Sequence, residues 1–265
     1  MSKLLLRIAY DGSKYHGWQK QPGQRTVQGT IEETLEKILE LPVSLEGTSR
    51  TDAGVHALGQ CATLGGEFKI PASRIPCAAN NLMKDIMILS AEEKPDDFHA
   101  RFSASGKTYL YRFAVAPNIT VFLRDYVSLL AKRPNIVNMV EAAKYLEGTH
   151  DFVSFQAAGG APRETTVRTI FKTGVTEISR TDSAGNEYEA VEVSVTGDGF
   201  LYNMVRIIAG TLAEVGSGRT SPEDIGRIIL SKDRAAAGPT APPQGLYLKE
   251  VYFEAKELSS MRERD

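Results

Sequence analysis

Arg50 and Asp52 stand two residues apart in the segment Gly47-Thr-Ser-Arg-Thr-Asp-Ala-Gly-Val-His-Ala57. The segment is polar, flanked by glycine, and enclosed by two runs with strand character. Where backbone is extended, residues i and i+2 project to the same side, so a cation and a carboxylate would share one surface. An ionised carboxylate is a candidate nucleophile or general base. In a desolvated pocket it keeps its proton unless a cation compensates. The same letters also describe a solvated turn, because Asp is unfavourable in strands and common in turns. Local chemistry alone does not decide between the two.

Other constellations are thinner. A carboxylate-pair glycosidase needs a second Asp or Glu in a matched motif, and none presents itself. His16, His56, His99 and His150 are widely spread and lack HxxxH or HxH spacing, which argues against a metal site. His56, four residues past Asp52, reads as structural. Tyr109 alternates with Tyr111, Phe113 and Val115 from Lys107 onward. An aromatic face packs a core and reads a base plane equally well, so spacing leaves Tyr109 open between the two. Lys14, Lys20, Arg25, Arg101, Arg163 and Arg168 sit in or near loops and have the chemistry to track phosphates. Any one of them is more often solvated surface.

These residues need elements to hold them. Leu4, Leu6, Ile8 and Tyr10 alternate as a strand over 3–10, and the Gly, Ser, Gln and Pro of 11–24 read as a loop. Val27, Ile31, Leu35, Ile38 and Leu39 recur at helical spacing, with Glu32, Glu33, Glu36 and Lys37 as the expected solvated face. Strands are expected at 60–64 and 85–90, with a short helix over 72–80. A second series follows: a strand from Lys107, a helix from Asn135 that stops at Gly148, strands at 167–178 and 188–195 around a turn at 182–186, and an apolar helix over 200–215. Ser221, Pro222 and Asp224 spell a capped helix start. A strand over 246–255 precedes a polar tail, 257–265, expected to fray. Each half thus runs strand, helix, two strands, helix, strand, the order of a split βαβ unit. The expected class is α+β: two such halves, 1–104 and 105–265, joined into a mainly antiparallel sheet with helices packed on it and an active-site cleft between the halves.

Composition bounds the reading without naming a function. A chain of 265 residues, 42% hydrophobic and 24% charged, is ordinary for a soluble protein. Cys61 and Cys77 form no CxxC pair and suit free thiols in a reducing cytoplasm. No apolar run approaches a membrane span, and Asp11 interrupts the N-terminus too early for a signal peptide. A cytosolic protein is expected. The net charge of −2 argues mildly against nucleic acid. A local concentration of some of the 31 Lys and Arg keeps that partner open.

The motif Arg50-Thr-Asp-Ala-Gly-Val-His56 matches the active-site motif of the TruA-type tRNA pseudouridine synthases letter for letter. Tyr10-Asp-Gly-Ser-Lys-Tyr-His-Gly-Trp-Gln19 resembles that family's N-terminal signature. Phe98-His-Ala-Arg-Phe-Ser-Ala104 with Lys107-Thr-Tyr-Leu-Tyr111 is similar to its central motif. Phe152-Val-Ser-Phe155, Phe200-Leu-Tyr-Asn-Met-Val-Arg206 and Gly245-Leu-Tyr-Leu248 resemble its later landmarks, in order along nearly the whole chain. Ser49 stands where many relatives carry Gly, and Asn203 where some carry His. Neither change removes a group the chemistry needs.

The resemblance implies an enzyme that isomerises uridine at positions 38, 39 and 40 of the tRNA anticodon stem-loop, acting as a homodimer without cofactor or metal. It places Asp52 at the catalytic position and Arg206 as the cation that compensates it. Arg50 then helps to extrude the target nucleotide, and Tyr109 stacks on the flipped uracil while Tyr111 packs the core. Extrusion costs a few kcal/mol, because a paired base hides its reactive atoms. The alternative is an RNA-binding module that kept the fold and lost the chemistry, which would be expected to lack Asp52, Arg206 or Tyr109.

Overall fold

The computed structural model describes residues 2–115, 121–160 and 164–262, the last four of these by backbone only. Its architecture is mixed α+β, mostly antiparallel, with six α-helices among the described residues. The chain forms two compact units: 1–105 with 247–254, and 106–246 with 255–265.

In the first unit β1 (Ser2–Tyr10) lies between β3 (His56–Gly66) and β4 (Ile86–Lys94), antiparallel to both. The short β2 (Leu45–Gly47) pairs with β3. The last strand, β10 (Leu246–Tyr252), is counted with the C-terminal half in sequence order yet runs parallel to β3. Leu4, Leu5 and Leu6 are all buried, as a strand between two neighbours requires when both faces are covered. Helix α1 (Val27–Leu39) starts at Thr26, whose side chain accepts the Gly29 N–H, and buries Val27, Ile31 and Leu35. A 3-10 turn at Ala72–Arg74 leads into α2 (Ile75–Asn80).

One expectation on α1 is corrected. Glu32 belongs to the interior and not to the solvated face: it is only 3% exposed. Its Oε1 accepts from Gln28 Nε2 and from the Leu45 N–H, both at 2.9 Å, and its Oε2 receives Lys20 Nζ at 3.0 Å. A buried carboxylate is tolerable when hydrogen-bonded and paired in this way. Here it ties α1 to β2, a strand too short to show in the pattern.

In the second unit the strands run in the order β5 (Gly106–Val115), β9 (Glu187–Gly197), β8 (Val167–Thr181), β7 (Gly148–Asp151), all antiparallel. The short β6 (Ser128–Leu130) runs parallel to β5. Asp182 closes the β8–β9 hairpin by accepting from the Ala184 and Asn186 N–H groups, each at 2.8 Å. Helix α3 (Ile136–Lys144) is capped by Asn135 and packs against β8 and against α4 (Met204–Gly216). Helix α5 spans Asp224–Ser231. The expected capping box is only half formed: the Asp224 carboxylate accepts from both the N–H and the hydroxyl of Ser221, but the Asp224 N–H goes to the Ser221 backbone carbonyl and not to its hydroxyl, and the helix begins after Glu223 with no side-chain cap.

Two further boundaries differ from expectation. The apolar run 200–215 is helical only from Met204, because Asn203 adopts φ +59°, the left-handed region. Asn tolerates that conformation better than most residues. Of the tail expected to fray, 257–262 belongs to helix α6 (Ala255–Arg262) instead, where buried Leu258 packs over Gly106, and 263–265 lie outside the described residues.

Candidate active site

Arg50 and Asp52 lie in the loop 48–55, between β2 and β3. Thr51 between them is buried, Arg50 is exposed and Asp52 is half-buried. The alternation expected of local extended backbone is therefore present. The loop turns after Asp52, whose carbonyl accepts the Val55 N–H at 3.2 Å, with Gly54 at φ +78°.

A second loop, 11–24, braces this one along its length. The Trp18 N–H donates to the Thr51 carbonyl at 3.0 Å, and the hydroxyls of Tyr10 and Thr51 are 2.7 Å apart. The Gly12 N–H donates to His56 Nδ1 at 3.1 Å, and the His56 ring stacks on Tyr247. His56 thus opens β3 as a buried structural residue. Backbone approaches backbone so closely that side chains are excluded. A Cβ on Gly12 would lie 1.9 Å from the Val55 carbonyl oxygen, and one on Gly17 would lie 2.6 Å from that of Thr51. Gly17 also has φ +84°, which glycine adopts without strain. At the loop's start the Thr48 N–H reaches the Cys61 carbonyl, and Gln60 Nε2 donates to the Ser49 carbonyl. Ser49 Oγ is buried and has no hydrogen-bond partner among the described residues.

Tyr109 and Tyr111 share a face of β5 but differ in surroundings. Tyr111 is fully buried; its hydroxyl donates to the Pro242 carbonyl at 2.7 Å. Burial pushes that phenol up to about 12. It is a core residue. Tyr109 is 9% exposed and meets the edge of Phe200, ring centres 5.1 Å apart and nearly perpendicular.

Arg206 sits in the first turn of α4 and is no loose surface arginine. Its Nε donates to the Ala241 carbonyl and its Nη1 to Asn203 Oδ1, both at 2.7 Å. The Ala241 N–H returns a bond to the Arg206 carbonyl. The left-handed Asn203 that delays the helix is therefore also what orients the guanidinium.

Most of the loop cations serve structure. Lys14 and Arg25 both pair with Asp85, and Lys20 pairs with Glu32. Arg25 also lies over the Tyr15 ring, 4.5 Å from its centre. Arg168 donates to the backbone carbonyls of Thr165 and Val167. Arg163 lies outside the described residues. Among the described residues no group of three or more His, Cys, Asp or Glu is arranged to hold a metal ion, and no helix is long and apolar enough to cross a membrane.

Sequence reasoning missed the bracing partners of loop 48–55. Gly12, Gly17 and Trp18 stand inside the quoted N-terminal signature, but nothing in their spacing names Thr51 or Val55 as their contacts. Asn203 was noted only as a departure, with no hint of its backbone conformation.

The family described as tRNA pseudouridine synthase matches residues 7–103 and 142–254 of this chain. Arg50, Asp52 and Arg206 fall inside the matched segments and Tyr109 between them. The chain belongs to the tRNA pseudouridine synthases, enzymes that isomerise uridine to pseudouridine. It is 44% identical to tRNA pseudouridine synthase A of Ruminiclostridium cellulolyticum, over 96% of this chain and 100% of that one. It is 46% identical to tRNA pseudouridine synthase A 2 of Clostridium tetani, over 94% and 97% of the two chains. With tRNA pseudouridine synthase A of Caldicellulosiruptor bescii the identity is 43% over 96% and 100%.

Proposed function

We propose that Asp52 carries the isomerisation, acting on uridines 38, 39 and 40 of the tRNA anticodon stem-loop. The reaction breaks the bond from uracil N1 to ribose C1′, turns the ring, and joins C5 to C1′. The proton lost by C5 is balanced by one gained at N1, so nothing is oxidised and no carrier is consumed. A carboxylate serves this chemistry by attacking C1′, by attacking the ring, or by removing a ribose proton. All three routes need it ionised and fixed in place.

The observation that carries the reading is the construction of loop 48–55. Asp52 is half-buried beside buried Thr51, on a backbone held by hydrogen bonds from Trp18 and Gln60, with the Thr51 hydroxyl bonded to that of Tyr10. A solvated turn does not need two glycines beneath it to let a second loop close against its backbone.

Arg206 supplies positive charge to the same reaction, its guanidinium oriented in advance by Asn203 and Ala241. Tyr109 offers an aromatic ring to the uracil, and Arg50, exposed on the loop, helps to extrude the nucleotide. The enzyme works as a cytoplasmic homodimer on tRNA and requires no cofactor. The test is mass spectrometry of unmodified tRNA transcripts after incubation with the purified protein in chelated buffer, with magnesium used only to prefold the RNA. The expected result is pseudouridine at 38, 39 or 40. Modification confined to another arm of the tRNA, or an absolute need for an added carrier, would overturn it.

A further inference from the structure

The motif Phe98-His-Ala-Arg-Phe-Ser-Ala104 has no part in the reaction as described so far, yet it forms a rigid turn with an exposed aromatic at its tip. Phe102 is 75% exposed. The turn is closed by the Ser103 N–H on the His99 carbonyl at 2.8 Å, the His99 N–H on Ser103 Oγ at 3.1 Å, and the Arg101 N–H on His99 Nδ1 at 3.0 Å. His99 is held in turn by Glu46, 3.2 Å from its Nε2. The Phe102 ring rests against the His99 ring, centres 4.4 Å apart, with the Arg101 guanidinium 5.5 Å from its own centre. A phenylalanine fixed this firmly in water is held for something other than the core.

We propose that Phe102 and Arg101 form a nucleotide-stacking subsite that takes one unstacked base of the tRNA, flanking the reacting uridine, with its phosphate. The proposal rests on the reading of loop 48–55 as the catalytic loop. Three observations select RNA as the occupant. An aromatic face beside an arginine is the pairing that binds exposed bases irrespective of sequence. Lys14, Lys20 and Arg25 are each paired with a carboxylate, whereas the described residues give Arg101 none, so its charge is available to a phosphate. Finally, the turn is anchored to the start of the catalytic loop: the Thr48 hydroxyl lies 2.9 Å from the Cys61 carbonyl and 3.1 Å from that of Ala100. Thr48 precedes Arg50 by two residues and Asp52 by four, at most about 7 and 14 Å of extended chain. An RNA that brings a uridine to Asp52 therefore has its neighbouring nucleotides within reach of Phe102.

The experiment measures affinity for a labelled, unmodified anticodon stem-loop RNA, together with single-turnover rates at limiting and saturating enzyme. The variants are Phe102→Ala, Phe102→Leu, Phe102→Tyr and Arg101→Gln, with Leu230→Ala, an 81% exposed position, as surface control. Phe102→Ala and Phe102→Leu should each raise Kd at least five-fold, in line with the loss of one stacked base. Phe102→Tyr, which keeps the ring face, should stay within two-fold of wild type. Arg101→Gln should raise Kd and reduce the salt slope by about one. The losses should fall on the limiting-enzyme rate, and the control should bind normally. Melting temperatures confirm that each variant is folded. A Kd for Phe102→Leu within two-fold of wild type overturns the subsite. So does a change of oligomeric state that accounts for any loss of affinity, which would make the turn a surface for a second copy of the chain. Because the readout is binding, it stands apart from the catalytic reading: an active Asp52→Ala would sink that reading and leave these affinities to be judged by themselves.

Discussion

Replacing Gly17 by alanine tests whether backbone contact between the two loops positions the Asp52 carboxylate. Two costs are expected. Alanine in the left-handed region at φ +84° loses about 1–2 kcal/mol. Its Cβ would also lie 2.6 Å from the Thr51 carbonyl oxygen and 3.1 Å from the Asp52 carbonyl carbon. These are backbone atoms that cannot rotate aside. To reach ordinary contact at 3.4 Å the Thr51 oxygen must retreat by 3.4 − 2.6 = 0.8 Å, which disturbs the hydrogen bond it accepts from the Trp18 N–H, worth about 1 kcal/mol. The sum is roughly 2–3 kcal/mol, or a fall in Tm of roughly 4–12 °C for a chain of this size. A displacement near 1 Å at Asp52 should lower the single-turnover rate by about 10²-fold. Gly23→Ala is the control: Gly23 has φ +71° with nothing within 4 Å of the added Cβ. It should show only the conformational cost, about 1–2 kcal/mol, with the wild-type rate. The assays are thermal denaturation and single-turnover conversion well below both melting points. If Gly17→Ala turns over like Gly23→Ala, the contact braces the fold without positioning Asp52, and the reasoning fails.

Tyr109→Leu should cut turnover sharply with little change in Tm. Tyr111→Leu should chiefly destabilise, by about 2–4 kcal/mol through the cavity and the orphaned Pro242 carbonyl; equal effects on Tm would return Tyr109 to the core. Glu32→Ala leaves the buried Leu45 N–H and one of the two Gln28 amide N–H groups without their acceptor and should lower the unfolding free energy by about 2–5 kcal/mol, read from urea titration. Wild-type stability in that variant would contradict the interior role. Asp151, held below its ordinary value of 3.8 first by the Thr166 hydroxyl and then by Lys232, contributes stability that is complete above that value. The contribution is lost as pH falls through the lower folded value. The stability gap between wild type and Asp151→Asn should therefore be present at pH 7 and shrink below pH 4; a gap that widens on acidification would show the sign to be wrong.

What was legible in the sequence was whatever lies close along the chain. The β1 alternation, the α1 stripe, the contact of Asp224 with Ser221 and the hairpin turn at Asp182 each depend on neighbours within a few residues. The segment proposed to carry the chemistry was legible for another reason, since Arg50 to His56 stands as one unbroken motif. Glu32 was misplaced because its acceptor role is set by Leu45, thirteen residues away, on a three-residue strand that leaves no pattern. The late start of α4 was hidden because Asn203 interrupts the helix by a dihedral angle inside an otherwise apolar run. In α6 the polar tail concealed Leu258, a single apolar residue with a place to pack. The bracing of loop 48–55 was the deepest omission: Gly12 and Gly17 read as loop punctuation, and only folding shows that their missing side chains are what let Thr51 and Val55 come so near.

The central claim, that the Asp52 carboxylate performs the isomerisation, is tested most directly by single-turnover conversion of an unmodified tRNA transcript by Asp52→Ala and Asp52→Asn, with RNA affinity and Tm measured alongside. Both variants should bind RNA and melt close to wild type, because the side chain is half-buried and at a loop, yet form no pseudouridine, since neither a methyl group nor an amide can act as nucleophile or base. Near wild-type conversion by either variant would contradict the account.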